Sequence, residues 1–463
     1  MRYLPLTEKG KEKILAKCGF SSFKELTKQV PDALRLDRLL DIEPSLSEHE
    51  LIAHLQGLAS KNAAAQMHSF LGQGVYDHTW PSAIDYLCSR GEFLTAYTPY
   101  QPEVSQGTLQ SLFEYQSLIS TITGFEVSNG SMYDGPSSAV EAVLMAARMQ
   151  RKANGKVLIS AGTFKETKSL LKTYLEPLGF ELVEWHVDDH KLVSLSDSSS
   201  VPDDSEDFVA TLLQSPNKWG LIESWAELEK VSKKLNTKSI AYIGHIHSCA
   251  VLDIPGDHDI DIAIADGQPL GIPVGFGGPH LGIFCCKKKD VRQMPGRLVG
   301  ATLDSSGNRA FCVTLATREQ HIRREKATSN ICSNQSLMAL RAAMYTHLMG
   351  PTGLKKVAQL SHAKCEYFKA SLKSILDGIE GIDISPGNSF NEFSILSSQK
   401  KSLWIEEAIK ACEEKGFILG KQIHVPMSTG YTKAIAIATT EKSTKGHIDQ
   451  VVEILKQSLE SYK

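Results

Sequence analysis

The sequence predicts an α/β protein: a large domain built on a mainly parallel sheet, followed by a smaller C-terminal α+β domain. Three observations support this prediction. From about residue 126 to 290, short apolar runs alternate with amphipathic segments of ten or more residues, which is the pattern of βαβ units. After about residue 330 the alternation loosens. Before about residue 75 the chain is polar and helical, which indicates an N-terminal extension.

The predicted domains are therefore residues 1–75, 76–330 and 331–463. In the extension, LSEHELIAHLQGLASKN carries its apolar residues on one helix face. The large domain has predicted strands at KVLIS, FELVEWHV, DFVATLLQ, SIAYIGHI, IDIAIAD and HLGIFCCKK, and predicted helices at GTLQSLFEYQSLISTITG, SMYDGPSSAVEAVLMAARMQ, KETKSLLKTYLEPLG and LIESWAELEKVSKKL. The small domain has predicted helices at QSLMALRAAMYTHLMG, LWIEEAIKACEEKG and the C-terminus, with a strand at AIAIATT.

Composition narrows the function classes. The formal net charge is −3, which argues against nucleic acid or an anionic membrane as the main partner. No apolar run approaches the roughly 20 residues that span a bilayer. The N-terminus mixes acids with lysines, so we expect neither a signal peptide nor a transit peptide. The 9 cysteines form no CxxC pair and are odd in number, which favours reduced thiols and a cytoplasmic location.

The stretch IDIAIADGQPLGIPVGFGGPHLG, residues 260–282, is rich in glycine, and such loops often approach a phosphate. It fails the GxGxxG dinucleotide pattern, because His280 stands where the third glycine belongs. The apolar run HLGIFCC that follows predicts a strand, whereas the dinucleotide motif requires a helix. A glycine-rich hairpin at the edge of a sheet is the simpler interpretation.

Two further stretches are candidate binding segments. In SMYDGPSSAVEA, a Gly-Pro pair before a helix leaves free N–H groups near Ser137 and Ser138, which suit a phosphate; an ordinary capped helix explains the pattern equally. In TAYTPYQPE, two prolines restrict the backbone and would display Tyr97, Tyr100 and Gln101 at small entropic cost. That segment suits one wall of a polar-substrate pocket, and a packed linker is the alternative.

Two more stretches, one rich in charged residues and one containing histidines, are candidate binding segments. TREQHIRREKATSN places Arg318 and Arg323 where they suit a carboxylate or phosphate, although a solvated helix face laced with ion pairs gives the same pattern. In HIHSCAVLDIPGDHD, His245 and His247 alternate as they would on one strand face, which is compatible with a metal site. We favour a strand and acidic turn without metal and expect no metal site.

Taken together, TAYTPYQPEVSQGTLQSLFEYQ, SMYDG, DGQPLGIPVGFGGPHLG and TREQHIRREKATSNICSNQ resemble, in this order, the P-protein of the glycine cleavage system, glycine dehydrogenase (decarboxylating). The length and the N-terminal MRYLPLTE resemble the first, or alpha, subunit of the family's two-subunit form. The resemblance covers essentially the whole chain, and motifs of this length are highly specific.

The resemblance implies a fold-type I pyridoxal-phosphate (PLP) architecture, similar to that of aspartate aminotransferase. It implies a reaction in which glycine loses CO2 and its aminomethyl group passes to the lipoyl arm of H-protein. PLP serves as the electron sink in that reaction, and a lysine holds its aldehyde as a Schiff base.

The same resemblance places Gln268 at the position of the PLP lysine, which in catalytic members stands shortly before a run ending in GGGGPG. An amide cannot form an imine. The aspartate that usually contacts the pyridinium nitrogen is also missing, since SIAYIGHIHSCAVL contains no aspartate. We therefore expect no catalytic residue in this chain, and we expect the beta subunit to hold PLP covalently.

The expected partners are the beta subunit in an α2β2 tetramer, lipoylated H-protein and glycine, with no role for nucleic acid or membrane. Tyr97, Tyr100 and Gln101 are the expected substrate-side contacts across the interface, and Arg318 and Arg323 are candidates for a carboxylate or phosphate. The chain is not expected to be active alone. Two alternatives remain open: a non-catalytic scaffold that docks H-protein, and an autonomous PLP enzyme that uses another lysine.

Overall fold

A computed structural model describes residues 6–36, 38–94, 97–188, 190–194, 207–275, 277–315 and 320–461. The chain divides into two compact units, Met1–Ala63 and Ala64–Lys463. Residues 64–75, assigned from the sequence to the N-terminal extension, thus belong to the larger unit. Among the helices of the described residues, none is long and apolar enough to cross a membrane.

The N-terminal unit consists of short helices: α1 (Glu8–Lys17), α2 (Phe23–Leu26) and α3 (Glu48–Ala59). Polar caps fix where they begin. Ser47 forms a reciprocal capping box with Glu50 at the start of α3. The predicted apolar stripe on this helix is present, but its four members are 45–54% exposed: Leu51, Ile52, Leu55 and Leu58. None of the described residues of this unit is buried.

The larger unit contains the remaining elements. Its helices are α4 (Ala83–Cys88), α5 (Gly91–Leu94), α6 (Gln106–Thr123), α7 (Gly135–Met149), α8 (Lys165–Leu175), α9 (Trp225–Leu235), α10 (Gln320–Arg323), α11 (Ser336–Leu376, broken at Gly350), α12 (Ser402–Glu414) and α13 (Lys445–Ser461). Its strands are β1 (His68–Ser69), β2 (Val127–Ser128), β3 (Gly155–Ser160), β4 (Phe180–Trp185), β5 (Val187–Asp188), β6 (Val193–Ser194), β7 (Phe208–Ser215), β8 (Lys238–Ile243), β9 (Ile262–Asp266), β10 (Gly282–Cys286), β11 (Leu298–Leu303), β12 (Arg309–Thr314), β13 (Ile382–Ile384), β14 (Glu392–Ser397), β15 (Phe417–Ile418), β16 (Lys421–Ile423) and β17 (Lys433–Ala438).

A seven-stranded sheet organises the larger unit, with strand order β2-β10-β9-β8-β7-β3-β4. Strands β4, β3, β7, β8 and β9 are parallel, whereas β10 runs antiparallel to β9 and β2 antiparallel to β10. Helices α7 and α8 cover one face, and α6, α9 and the start of α11 cover the other. Burial on both faces explains why the inner strands β7, β8, β9 and β10 are mainly apolar runs. The predicted α/β fold with a mainly parallel sheet is confirmed.

A four-stranded antiparallel sheet, β13-β14-β17-β16, forms the core of the C-terminal part. Residues of α12, α13 and the second half of α11 pack on it. The sequence predicted α12, β17 and α13 here, but neither the continuation of α11 beyond Gly350 nor the strands β13 and β14. The hairpin of β11 and β12 was also missed, since neither strand is strongly apolar.

One local prediction was wrong. Strand β8 ends at Ile243, and His245 caps the short 3-10 helix Ile246–Ala250, so His245 and His247 do not alternate on a strand. The break lies at Gly244, where a Cβ atom would stand 2.1 Å from the carbonyl oxygen of Pro216. The chain can pass this point only with glycine, and it then turns away from the sheet.

At Gly220, in the loop between β7 and α9, the backbone also passes close to another part of the chain. Its φ is +83°, and a Cβ atom would lie 2.1 Å from the carbonyl oxygen of Glu392 at the start of β14. The neighbouring Ile222 donates its N–H to the Asn388 carbonyl at 3.0 Å. This loop therefore joins the large sheet to the small one through main-chain contact.

We predict that Gly220→Ala lowers the free energy of unfolding by more than about 3 kcal/mol, because it adds a backbone clash to the strain of a positive φ. Gly307→Ala is the matched control, since Gly307 also has a φ of +83° but has nothing within 4 Å of its Cβ position. The control variant should lose only about 1–2 kcal/mol. Thermal and denaturant unfolding measure both, and equal losses would contradict a tight loop contact.

Candidate functional site

The four stretches singled out from the sequence meet around the start of helix α7. Gly135, the first residue of α7, donates its N–H to Asp266 Oδ2 at 3.0 Å. The hydroxyl of Tyr133 donates to the Cys332 carbonyl at 2.7 Å, and the Cys332 N–H returns a hydrogen bond of 3.0 Å. Segments that lie far apart in sequence thus form one structural cluster beside the C-terminal end of β9.

The segment after Ala96 joins this cluster through its side chains. The hydroxyls of Tyr97 and Ser333 lie 2.7 Å apart. Arg297 Nη1 donates to the hydroxyl of Thr98. A cleft beside these contacts is lined by residues of two loops, among them Gly296, Arg297, Ser329 and Ser333. Ser333 lies within the quoted stretch TREQHIRREKATSNICSNQ but was not singled out, and Arg297 lies outside all four stretches, in a short loop without periodicity.

The predicted substrate-side residues are displayed on the outside of this cluster. Tyr97 is 70% exposed and Tyr100 is 77% exposed, with their ring centroids 6.5 Å apart. Gln101 is exposed and precedes a short 3-10 helix without capping it. Arg323 ends α10 and is exposed, whereas Arg318 lies outside the described residues. Their predicted contacts with substrate remain predictions.

The start of α7 is occupied by carboxylates of this chain. Asp134 is the N-cap and accepts hydrogen bonds from the Ser137 N–H, at 2.7 Å, and from the Ser137 hydroxyl. Ser138 is buried, and its hydroxyl donates to the Asp134 carbonyl at 2.8 Å. Two acids therefore complement the positive end of the helix dipole. Ser137 and Ser138, which suited a phosphate, form capping hydrogen bonds with Asp134 in this structure.

Asp266 links this helix start to the glycine-rich loop. Besides the Gly135 N–H, it accepts the Gln268 N–H at 2.9 Å and contacts His280 Nδ1 at 3.1 Å. The hydrogen bond to Asp266 raises the pKa of His280. The loop itself connects the antiparallel neighbours β9 and β10, and β2 lies beyond β10, so the connection is not at the edge of the sheet.

The side chain of Gln268 is buried and fully paired. Its Oε1 accepts the Tyr76 N–H at 2.9 Å. Its Nε2 donates to the carbonyls of Tyr76, at 3.0 Å, and Ile272, at 2.7 Å. The amide therefore pairs with the backbone of a distant segment in the way that a neighbouring strand would. Both a donor and an acceptor are required, which an amide supplies and an ammonium group does not.

These residues do not fit a covalently held aldehyde cofactor with a phosphate tail. Gln268 carries no amine, and both N–H groups of its amide are already donated to backbone carbonyls. The helix start, where a phosphate would be attracted, already holds Asp134 and Asp266, whose negative charges repel a phosphate. The described part of the cluster thus suits packing and surface contact, and no step of a cofactor reaction is assigned to it.

Comparison with known proteins gives a consistent result. The family model of the glycine cleavage system P-protein matches residues 1–455. A probable glycine dehydrogenase (decarboxylating) subunit 1 from Staphylococcus carnosus is 41% identical over 455 residues, which is 98% of both chains. The protein of the same description from Shouchella clausii is 40% identical over 453 residues, 97% of both chains.

Solved structures show the same similarity. A crystal structure of glycine decarboxylase (P-protein) of the glycine cleavage system, in inhibitor-bound form, aligns with a TM-score of 0.87 at 37% identity. That alignment covers 99% of this chain and 100% of the other. A rice enzyme described as TDC with PLP and tryptamine has a TM-score of 0.65 at 9% identity over 99% of both chains, which shows the fold alone.

The fold is thus the fold-type I architecture of PLP-dependent enzymes, as the sequence predicted. The family match extends over nearly the whole length, and the relatives cover it at about 40% identity. The chain belongs to the glycine cleavage system P-protein family.

Proposed function

We propose that this chain is the alpha subunit of a two-subunit glycine dehydrogenase (decarboxylating). Together with a beta subunit it decarboxylates glycine and passes the aminomethyl group to the lipoyl arm of H-protein. Relatives described as subunit 1, at 41% and 40% identity, support the subunit assignment. The beta subunit holds PLP, and this chain supplies one wall of the shared site.

The main support for assigning PLP chemistry to the beta subunit is the hydrogen bonding of Gln268. Its amide makes three hydrogen bonds to the backbone, at 2.7–3.0 Å, and offers no amine to an aldehyde. The carboxylates at the start of α7 argue in the same direction, because they disfavour a phosphate there. Chemistry at PLP is accordingly assigned to the partner, and binding and positioning to this chain.

The exposed phenols of Tyr97 and Tyr100 and the amide of Gln101 are the groups we assign to the interface. They project from a segment tied down by Ser333 and Arg297, so little side-chain entropy is lost when they contact glycine or the partner. Arg318 and Arg323 are assigned to an anionic group, either the glycine carboxylate or a phosphate. These roles require no nucleophile or general base from this chain.

A tetramer of α2β2 composition and a cytoplasmic location complete the proposal. The N-terminal unit exposes many large apolar side chains, for example Leu39 at 92% and Ile42 at 75%, which is typical of a surface covered by another chain. The cysteines at all 9 positions are free thiols, which suits a reducing compartment.

One observation favours a rival function, an autonomous PLP enzyme. Burial lowers the pKa of Lys218 to about 8, and this lysine follows the C-terminal end of strand β7. A lysine with a lowered pKa is a candidate for Schiff-base formation. The other alternative, a non-catalytic scaffold, predicts that removing the exposed phenols has no effect on turnover.

Gln268→Glu tests whether Gln268 is structural. The carboxylate would accept the Tyr76 N–H but would face the carbonyls of Tyr76 and Ile272 without a proton to donate. We expect a loss of about 3 kcal/mol in the free energy of unfolding near neutral pH. Burial raises the pKa of the new carboxyl, so the loss should shrink as the pH falls and the acid protonates. Gln359→Glu, on the exposed side of α11, is the control and should change stability by less than about 0.5 kcal/mol.

Tyr97→Phe tests the shared site in the reconstituted complex of alpha, beta and H-protein, assayed by glycine–bicarbonate exchange. Each subunit alone should be inactive. Loss of the phenol hydroxyl should lower kcat/KM about 10-fold, the effect of one hydrogen bond, while the complex still assembles. Tyr174→Phe, an exposed tyrosine of α8, should have no effect. Ser333→Ala removes the bond within the chain but keeps the phenol, and its effect should be smaller.

Unchanged exchange in an assembled Tyr97→Phe complex would support the scaffold alternative. Exchange activity of the isolated chain would contradict the proposed division between subunits.

A further inference from the structure

Three buried histidines converge beside the sheet, and none takes part in the site described above. His78 comes from the segment between β1 and α4, and His245 and His247 come from the turn after β8. One ring nitrogen of each lies within 4.8 Å of the other two. The three side chains, which we name the histidine triad, are 1–4% exposed.

A carboxylate orients the first member. Glu441 Oε2 lies 2.6 Å from His78 Nδ1, and Glu441 Oε1 is held by the N–H and hydroxyl of Thr79 at 2.5 and 2.7 Å. A carboxylate at Nδ1 keeps the proton on that nitrogen and leaves the Nε2 lone pair free. Histidines that bind metal ions are usually oriented in this way. His78 Nε2 points at His245 Nε2, 3.0 Å away.

Aromatic rings hold the other two members in place. The Tyr76 ring lies 4.2 Å from that of His245, centroid to centroid, and Tyr345 stacks on His247 at 5.9 Å. His247 Nδ1 is buried without a hydrogen-bond partner among the described residues. A buried polar atom without a partner is costly, and it indicates a ligand that would pair with it.

The triad can also be arranged without a metal ion. The His247 N–H donates to His245 Nδ1 at 3.2 Å, so His245 can donate from Nε2 to His78. That hydrogen-bond chain ends at Glu441, and the Tyr345 hydroxyl lies 3.5 Å from His247 Nε2. His247 Nδ1 is left unpaired among the described residues. A metal ion would bind His78 Nε2 and His245 Nε2 and so replace the hydrogen bond between them. The proton of His245 would then move from Nε2 to Nδ1. Because Nδ1 could then no longer accept, its 3.2 Å hydrogen bond from the His247 N–H would be lost.

We propose that the histidine triad binds one divalent transition-metal ion of the imidazole-preferring class, such as Zn2+, with water as the fourth ligand. A Zn–N bond of about 2.0–2.1 Å in a tetrahedral site separates ligand nitrogens by about 3.4 Å. The 3.0 Å pair is already close to that separation, and the distances to the third nitrogen, which are within 4.8 Å, have to shorten by up to about 1.4 Å. The ion would tie the turn after β8 to the segment before α4.

The test uses the full-length chain, stripped with a chelator and titrated with Zn2+. Wild type should bind one equivalent and melt at a higher temperature with zinc than without. His245→Phe and His247→Phe keep the stacked rings but lose a ligand, and each should bind zinc at least 100-fold more weakly. Glu441→Gln should weaken binding about 10–100-fold. His186→Phe, which changes an exposed histidine, is the control and should bind like wild type.

X-ray absorption of the zinc-loaded wild type provides a measurement that is independent of how the variants fold. It should show about three imidazole nitrogens at about 2.0–2.1 Å. Failure of wild type to retain zinc, a shell made only of oxygen, or equal affinity in His247→Phe would overturn the proposal.

Discussion

The pairing of one buried amide with a distant backbone is the interaction on which this structure depends most. Gln268 binds both the N–H and the carbonyl of Tyr76, and the hydroxyl of Tyr76 donates to Glu392 Oε2 at 2.9 Å. Glu392 also accepts from the N–H and side chain of Gln73. The glycine-rich loop, the segment before α4 and the small sheet are therefore joined through a single buried network.

The composition of that network has a chemical consequence. Burial raises the pKa of Glu392, and the hydrogen bonds from Gln73 and Tyr76 only partly oppose this effect. A lysine in place of Gln268 would leave the Tyr76 N–H without an acceptor. Near the same loop, Asp134 and Asp266 balance the dipole at the start of α7. In this chain, residue 268 and the N–H groups at the start of α7 thus form hydrogen bonds within the protein. This arrangement suits a chain that contributes surface to a site centred elsewhere.

Sequence patterns predicted the parts of the fold that repeat. Apolar runs identified β3, β7, β8 and β9, since strands buried on both faces must be continuously apolar. Strand β4 was also predicted, although it lies at the edge of the sheet and is only partly buried. Gly124, the last residue of the predicted helix GTLQSLFEYQSLISTITG, caps the C-terminus of α6 with a φ of +75°. Periodicity failed at Gly244, because only the three-dimensional structure shows that the Pro216 carbonyl approaches this residue. It also missed β11 and β12, whose strands pair with each other outside the main sheet.

Long motifs indicated which segments form the candidate site, but local patterns did not indicate how their side chains pair. Tyr97 was singled out from TAYTPYQPE and Gln268 from the resemblance. Their pairing with Ser333 and Tyr76 was not predicted, because hydrogen bonds across 236 and 192 residues leave no local pattern. The contact of the histidine triad with Glu441 could not be predicted for the same reason, since Glu441 lies 363 residues from His78 in the sequence.

The most direct test of the central claim is to locate the pyridoxyl group after borohydride reduction of the reconstituted complex. Peptide mapping should find the reduced adduct on a lysine of the beta subunit and none on this chain, in the complex or in the isolated chain with excess PLP. A stable adduct on Lys218, or on any other lysine of this chain, would contradict the account.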